Sequence, residues 1–197
     1  MNNIEISFLE LGLSWFLSKL LPYLLALFLG VFLFTLLRRL LKGRRLQHWL
    51  SIPFIVVPFL VYFTLYPIYE GDFSNNYRSS KKKDILPFNG NRKLVVIAIP
   101  NCPFCFESIQ KLKLIHKRNP TLEIQFLVCT DNDNDLLMYK TEAENSFTVE
   151  KQSSSKKLAK LANYKFPTFL LIEKNQDIKI WNNDSFGVLA IDEVEHL

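Results

Sequence analysis

The chain has 197 residues, enough for one domain of ordinary size together with additional segments. Residues 1–84 carry ten Lys or Arg against five Asp or Glu, whereas residues 85–197 carry fourteen of each. This distribution argues against a nucleic-acid-binding surface on the C-terminal part, and three cysteines, two of them in one motif, exclude a disulfide-rich scaffold.

Two uncharged runs predict two transmembrane helices within a membrane region that covers residues 1–69. Residues 20–37 (LLPYLLALFLGVFLFTLL) would form roughly 27 Å of helix, close to the thickness of a bilayer core. Residues 50–69 (LSIPFIVVPFLVYFTLYPIY) form the second run, whose two internal prolines are tolerated better in membranes than in soluble helices. A buried soluble hairpin fits less well, because one short charged loop joins the two runs. A cleaved signal peptide also fits less well, because the N-terminus has no basic region and no small-residue cleavage site follows the first run.

A basic loop between the two runs sets the predicted topology. Residues 38–49 contain five Arg or Lys, whereas the segment before the first run has two glutamates and one lysine. The positive-inside rule therefore predicts a cytoplasmic loop with both termini outside the cytoplasm. Four positive residues between positions 78 and 83 follow the second run and weaken this prediction without reversing it.

A polar tether over residues 70–91 is predicted to connect the membrane region to a domain formed by residues 92–197. Apolar periodicity and helix-stop signals divide this domain into alternating strands and helices. The predicted strands are residues 93–99, 123–129, 146–150, 166–172 and 178–181, and the predicted helices are residues 103–118, 134–145, 153–164 and 187–197. This order predicts an α/β fold with a mixed sheet.

The motif NCPFC places Cys102 and Cys105 where a buried strand ends and a helix begins. The free N–H groups and the dipole at a helix N-terminus favour a thiolate, and cysteines in such positions have pKa values from roughly 3.5 to 7.5. Pro103 suits the first helical turn, and Cys105, one turn along, can attack a mixed disulfide at Cys102. The residues favour a redox pair in which Cys102 is the nucleophile and Cys105 the resolving thiol.

Two other interpretations of the cysteine pair stay open. A zinc site would need further ligands, and the only other Cys and His residues are Cys129, His48, His116 and His196. His48 lies in the loop between the spans, which the predicted topology places on the other side of the membrane. Alternatively, the pair could be two packed core cysteines, the role that we expect for Cys129 at the end of an apolar strand.

The strand that ends in NCPFC, the helix after it and the later segment KFPTFLLI resemble the thioredoxin fold. The 65-residue interval from Cys102 to Pro167 is similar to that of the TlpA/ResA/MauD-like branch of membrane-anchored thiol–disulfide oxidoreductases. This resemblance covers residues 92–197. It implies that Pro167 is a cis-proline facing the catalytic pair Cys102 and Cys105, that Phe166 offers backbone hydrogen bonds to a client chain, and that no cofactor is needed.

Three positions depart from the pattern of this family. Asn101 stands where a tryptophan commonly precedes the first cysteine, and apolar Val96 stands where thioredoxin has a buried acid. That acid assists proton transfer from the resolving thiol, so its absence leaves the direction of catalysis open. Glu107 does not match the acidic position of the TlpA branch, and we expect it to stabilise the dipole in the first turn of its helix.

Together, these features predict a protein of a bacterial inner membrane with a thioredoxin-like domain in the periplasm or otherwise outside the cytoplasm. Its expected partners are protein thiols and disulfides, the membrane, and an integral-membrane redox protein that docks on the second span. Two alternatives are a non-catalytic thioredoxin-fold subunit of a membrane complex and a copper-delivery protein.

Overall fold

A computed structural model describes residues 2–40, 53–81, 92–152, 155–174 and 176–195. These residues belong to two compact units, Met1–Glu70 and Gly71–Leu197. Most of the predicted basic loop, including His48, lies outside the described residues, as do residues 82–91 of the predicted tether and His196.

The N-terminal unit contains the helices α1 (Asn3–Glu10), α2 (Trp15–Leu40) and α3 (Pro53–Leu65). Among the described residues, one helix is long and apolar enough to cross a membrane, the segment Trp15–Arg39 with a mean hydropathy of 2.5. The described part of the second predicted span, residues 53–69, contains the helix α3, whose 13 residues correspond to about 20 Å. Because this length is below that of a bilayer core, the second span stays a prediction.

Close packing holds α2 and α3 together in this unit. A Cβ atom on Gly30 would overlap the Ile55 carbonyl oxygen, so the glycine allows the two helix backbones to approach closely. The Tyr23 hydroxyl donates a hydrogen bond to the Tyr66 carbonyl at 2.5 Å, and its ring meets Tyr62 edge-on at 4.8 Å. The two helices therefore form a packed hairpin.

The described residues of the C-terminal unit form a six-stranded mixed sheet in the order β1–β6–β5–β2–β3–β4. The strands are β1 (Arg78–Ser80), β2 (Arg92–Ala98), β3 (Glu123–Val128), β4 (Thr148–Lys151), β5 (Thr168–Glu173) and β6 (Ile178–Asn182). The helices are α4 (Pro103–Arg118), α5 (Asp133–Ala143), α6 (Ser155–Leu161) and α7 (Val188–Glu195), with a 3-10 turn at Asn183–Ser185. Strands β2, β3 and β4 are parallel, whereas β5 and β6 run antiparallel to their neighbours, which confirms the predicted α/β fold with a mixed sheet.

Alternating side chains along the strands create the core on both faces of the sheet. On one face, Val95 and Ile97 of β2 pack in a cluster with Leu170 of β5 and with Leu158 and Leu161 of α6. Strand β2 is buried from Leu94 to Ala98, which explains its continuous apolar run. The sheet thus fixes the end of β2, from which the NCPFC motif emerges.

Residues 71–81 differ from the sequence prediction, because they pack on the C-terminal unit instead of belonging to a tether. Strand β1 pairs with β6, with Arg78 opposite Ile180. The side-chain oxygen of Asn75 accepts a hydrogen bond from the Trp181 indole N–H at 2.9 Å. The strand is three residues long and polar, so it has no apolar periodicity and its pairing depends on β6.

Candidate redox site

The start of α4 brings the two predicted cysteines together. Cys102 is the N-cap residue of the helix, and its sulfur accepts the backbone N–H of Cys105 at 3.2 Å. Pro103 occupies the first helical turn, as its missing N–H predicts. The sulfurs of Cys102 and Cys105 are joined in a disulfide, with the two Cα atoms 5.2 Å apart.

The two sulfur-bearing residues differ in accessibility. Cys102 retains 8% of its surface exposed, whereas Cys105 is completely buried. The Ser108 hydroxyl, also buried, donates a hydrogen bond to the Cys105 carbonyl at 2.7 Å. An incoming thiolate can therefore approach the disulfide through Cys102. The N–H of Cys105 already points at the Cys102 sulfur, which becomes a thiolate when the pair is reduced.

The turn before Cys102 has an unusual backbone conformation. Asn101 adopts a positive φ of 56°, in the left-handed region that asparagine tolerates better than most residues. This conformation gives a structural reason for an asparagine where the family commonly has a tryptophan. It turns the chain from the end of β2 into the N-cap of α4.

Sequence reasoning did not identify Tyr139, which reaches this turn from α5. Its hydroxyl donates a hydrogen bond at 2.7 Å to the carbonyl of Ile99, which lies three residues before Cys102. The Tyr139 ring stacks on Phe106 of α4, with ring centroids 4.4 Å apart and an interplanar angle of 16°. Burial raises the pKa of Tyr139, so the hydroxyl is protonated. No sequence pattern signals this contact, because it joins positions 40 residues apart.

The Phe166–Pro167 peptide bond is cis and lies at the same edge of the sheet as the disulfide. Thr168, at the start of β5, is paired with Ile97 near the end of β2, and the NCPFC motif follows directly after that strand. Pro167 is buried and Phe166 is partly buried. Among the described residues, the backbone N–H and C=O of Phe166 have no hydrogen-bond partner.

These features complete the arrangement predicted from the sequence. Strand β2, helix α4 and parallel β3 are followed by a cis-proline, the antiparallel pair β5–β6 and helix α7. The C-terminal domain has a thioredoxin-like fold. Within it, β4 and α6 lie in residues 146–163, the extra strand and helix that lengthen the interval between Cys102 and Pro167.

Comparisons with known proteins find similarity only at the level of distant solved structures. No family model and no curated protein matches the chain. Similar solved structures include a secreted disulfide oxidoreductase of Mycobacterium tuberculosis, with 16% identity over 53% of this chain and 78% of that one, at a TM-score of 0.43. StoA from Bacillus subtilis has 12% identity over 62% and 98% of the chains, at a TM-score of 0.46. A thiol:disulfide interchange protein from Bacteroides sp. has 17% identity over 53% and 72%, at 0.42. The fold assignment therefore rests on the strand order and connections of this chain.

The position of the missing acid is apolar in the structure as well. Val96 is completely buried, and its neighbours across the sheet are Phe126 of β3 and Phe169 of β5. Among the described residues of this domain, the buried polar side chains are those of Ser108, Thr130 and Thr168, none of which is acidic. No described carboxylate thus takes over the role of a buried acid.

The expected role of Glu107 is wrong. Because Cys102 is the N-cap, the first turn of α4 starts at Pro103 and contains no acidic residue. Glu107 lies beyond that turn and is exposed. The helix start is therefore stabilised by the N-cap hydrogen bond and Pro103, while the effect of a carboxylate on the dipole is confined to the first turn.

The third cysteine is separate from the pair. Cys129 is a free cysteine in the apolar cluster beside Ile97 and Leu127, as expected for a core residue, and burial raises its pKa to about 11. Over the described ranges, no group of three or more His, Cys, Asp or Glu side chains is arranged to hold a metal ion. His116 is partly buried on α4, a helix whose other end carries the disulfide.

Proposed function

We propose that the chain is a membrane-anchored thiol–disulfide oxidoreductase that exchanges disulfides with client or partner proteins through Cys102 and Cys105. The observation that carries this proposal is the disulfide at the N-terminus of α4, in which Cys102 keeps 8% of its surface exposed and Cys105 keeps none. A disulfide with a purely structural role has no need of its outer sulfur at a helix start.

The exchange proceeds in two displacement steps. A client thiolate attacks the Cys102 sulfur, the bond between the two cysteines breaks, and Cys105 leaves as a thiolate that takes up a proton. A second client thiolate then attacks the client sulfur of the mixed disulfide and releases Cys102 as a thiolate. The client loses two electrons and the pair gains them. The reverse sequence reduces a client disulfide.

The start of α4 stabilises the thiolate of Cys102, which leaves in the second step and attacks the client disulfide when the sequence runs in reverse. The Cys105 N–H donates to this sulfur, and the helix dipole adds positive potential. Greater stabilisation of the thiolate makes the pair a stronger oxidant. Apolar Val96 offers no group that could accept the proton of Cys105, so resolution of mixed disulfides by Cys105 proceeds without an internal base at that position.

Phe166 and Pro167 form the client-binding edge in this proposal. The free backbone groups of Phe166 allow an extended client chain to add hydrogen bonds beside the disulfide. Two exposed aromatic side chains, Phe104 in the motif and Tyr164 before the cis-proline, supply apolar contact area close in sequence to these groups.

The membrane assignment completes the proposal. Residues 1–69 anchor the protein through α2 and a second span, and the basic loop keeps the domain of residues 92–197, extended by β1, outside the cytoplasm. This placement corresponds to the periplasm of a bacterium, where thiols are exposed to oxidation. An integral-membrane redox protein that docks on the spans would exchange electrons with the pair.

Trapping of mixed disulfides tests this function. In the full-length protein, Cys105→Ser leaves the accessible thiol without its resolving partner, so disulfide-linked client complexes are expected to accumulate in cells. Cys102→Ser is the matched control, because the remaining thiol is buried, and it should trap none. Equal trapping by both variants, or none by either, contradicts catalysis and favours a non-catalytic subunit.

A further inference from the structure

We propose that Tyr139 is a positioning residue for the redox pair, whose hydroxyl anchors the Ile99 end of the turn that leads into Cys102 and whose ring packs on α4, so that the Cys102 sulfur stays on the N–H of Cys105. This inference rests on the thiol–disulfide exchange proposed above, and it assigns to helix α5 a part in tuning the pair.

The hydroxyl is anchored at the start of this turn. It donates its proton to the Ile99 carbonyl at 2.7 Å. Ile99 directly follows β2 and lies three residues before Cys102, so this hydrogen bond ties the start of the turn to helix α5.

Tyr139 contacts both elements that the turn connects. Pro100 and Asn101 form the turn between Ile99 and Cys102. The Tyr139 hydroxyl binds Ile99 at the start of the turn, and its ring stacks on Phe106 in the helix that follows Cys102.

Packing fixes where the hydroxyl lies. Tyr139 is 1% exposed, and its ring stacks on Phe106 within the helix that begins at Cys102. The ring also lies 5.4 Å from that of Phe126 in β3. Because the ring is held from two sides, the core sets the position of the hydroxyl independently of the turn at Ile99 that it contacts.

The consequence for chemistry concerns the thiolate of Cys102. The Cys105 N–H meets the Cys102 sulfur at 3.2 Å, and this alignment requires that the Cys102 backbone enter α4 at a fixed angle. The helix determines one side of that entry, and the hydrogen bond from Tyr139 to Ile99 determines the other. Removal of the hydroxyl frees the turn, weakens the N–H to sulfur contact and raises the pKa of the Cys102 thiol.

The variant Tyr139→Phe removes the hydroxyl and keeps the stacked ring. In the reduced full-length protein, the pH midpoint for alkylation of Cys102 is expected to rise by about one unit. The equilibrium constant for reduction of the pair by glutathione should fall by about tenfold, which is a potential about 30 mV more negative. Mass spectrometry of the Cys102 peptide follows the first quantity, and gel separation of alkylated forms follows the second.

Two control variants separate positioning from plain stability. Ile115→Ala removes packing at the other end of α4, so it should lower the thermal unfolding midpoint with little change in the alkylation profile. Tyr77→Phe removes the hydroxyl of a half-exposed tyrosine in the same domain and should change neither quantity. Where Tyr139→Phe does not fold, 3-fluorotyrosine at position 139 keeps the hydroxyl and makes it a stronger donor to Ile99, so the midpoint should fall slightly instead of rising.

The outcomes distinguish this inference from the proposed function. If Tyr139→Phe lowers stability but leaves both the alkylation midpoint and the glutathione equilibrium unchanged, Tyr139 is only a core residue and the inference fails. If the wild-type pair does not exchange with glutathione at all, the proposed function fails. The alkylation midpoint of Cys102 still decides the role of Tyr139 in that case, because it is measured without any disulfide exchange.

Discussion

Replacement of Val96 by aspartate places an acid where the thioredoxin pattern has one, and its cost can be derived from the structure. Val96 is completely buried at the centre of β2, with Phe126 and Phe169 opposite it in the sheet. An aspartate enclosed by these apolar neighbours loses its hydration when it ionises. Its pKa is therefore expected to rise by about 3 to 5 units from an ordinary value of about 3.9.

The raised pKa makes the destabilisation depend on pH. Below about pH 4 both the folded and the unfolded chains hold the proton, so the variant loses only apolar packing and polar-group hydration. As the pH rises towards the folded-state pKa, the unfolded chain ionises and the folded chain does not. At about 1.36 kcal/mol per pKa unit, the additional loss reaches about 4 kcal/mol at pH 7.

Cys129 provides the assay for this prediction. It is a buried free thiol, and the other two cysteines of the chain are joined in a disulfide, so dithiodipyridine labels Cys129 when the domain unfolds. Urea titrations of the full-length protein in detergent at pH 4 and pH 7 give the two free energies of unfolding. Val96→Asn is the control, since its polar side chain does not titrate. Equal losses for Val96→Asp and Val96→Asn at both pH values would refute a dry, apolar environment at this position.

Three further predictions follow from other parts of the domain. Because the pKa of Cys129 is raised to about 11, iodoacetamide at pH 8 should label it only after unfolding, and fast labelling of the folded protein would contradict its burial. Burial raises the pKa of Glu193, but hydrogen bonds from Lys179 and Asn75 outweigh it and lower the pKa below 4.5. The stabilisation of the folded state by ionised Glu193 is present above pH 4.5 and is lost as the pH falls through the lowered pKa. Glu193→Gln should therefore cost about 1 to 2 kcal/mol at pH 7 and flatten the acid side of the pH–stability curve. An unchanged acid side would argue against this stabilising role of Glu193. A Cβ at Gly187 would overlap the Gly71 carbonyl oxygen, so Gly187→Ala should cost about 1 to 3 kcal/mol and expose residues 71–81 to proteases, whereas unchanged proteolysis would show that this contact is unimportant.

The sequence predicted elements whose signals are local. The continuous apolar run of β2 follows from burial on both faces, and the Asn119–Pro120 pair marks the end of α4. The position of the cis-proline was inferred from the segment KFPTFLLI, and the structure has a cis bond at Pro167. These features depend on residues close together in the chain.

The features that were missed depend on distant partners or on small shifts in a boundary. Strand β1 pairs through its backbone with a strand about 100 residues later, so no side-chain pattern marks it. Tyr139 lies in a helix with a weak apolar pattern, and its contact with the site depends on a hydrogen bond from its hydroxyl to Ile99, 40 residues earlier in the chain. The role assigned to Glu107 failed because the N-cap at Cys102 leaves this residue beyond the first turn.

Titration of the full-length protein in glutathione and dithiothreitol buffers tests the central claim most directly. The fraction of the Cys102–Cys105 disulfide, measured by alkylation and mass change, should follow a reversible two-electron curve with a midpoint above about −300 mV, in the range of exchanging dithiols. Cys102→Ser and Cys105→Ser should abolish the curve. A pair that stays oxidised at potentials well below about −300 mV would be a structural disulfide and would contradict the proposed function.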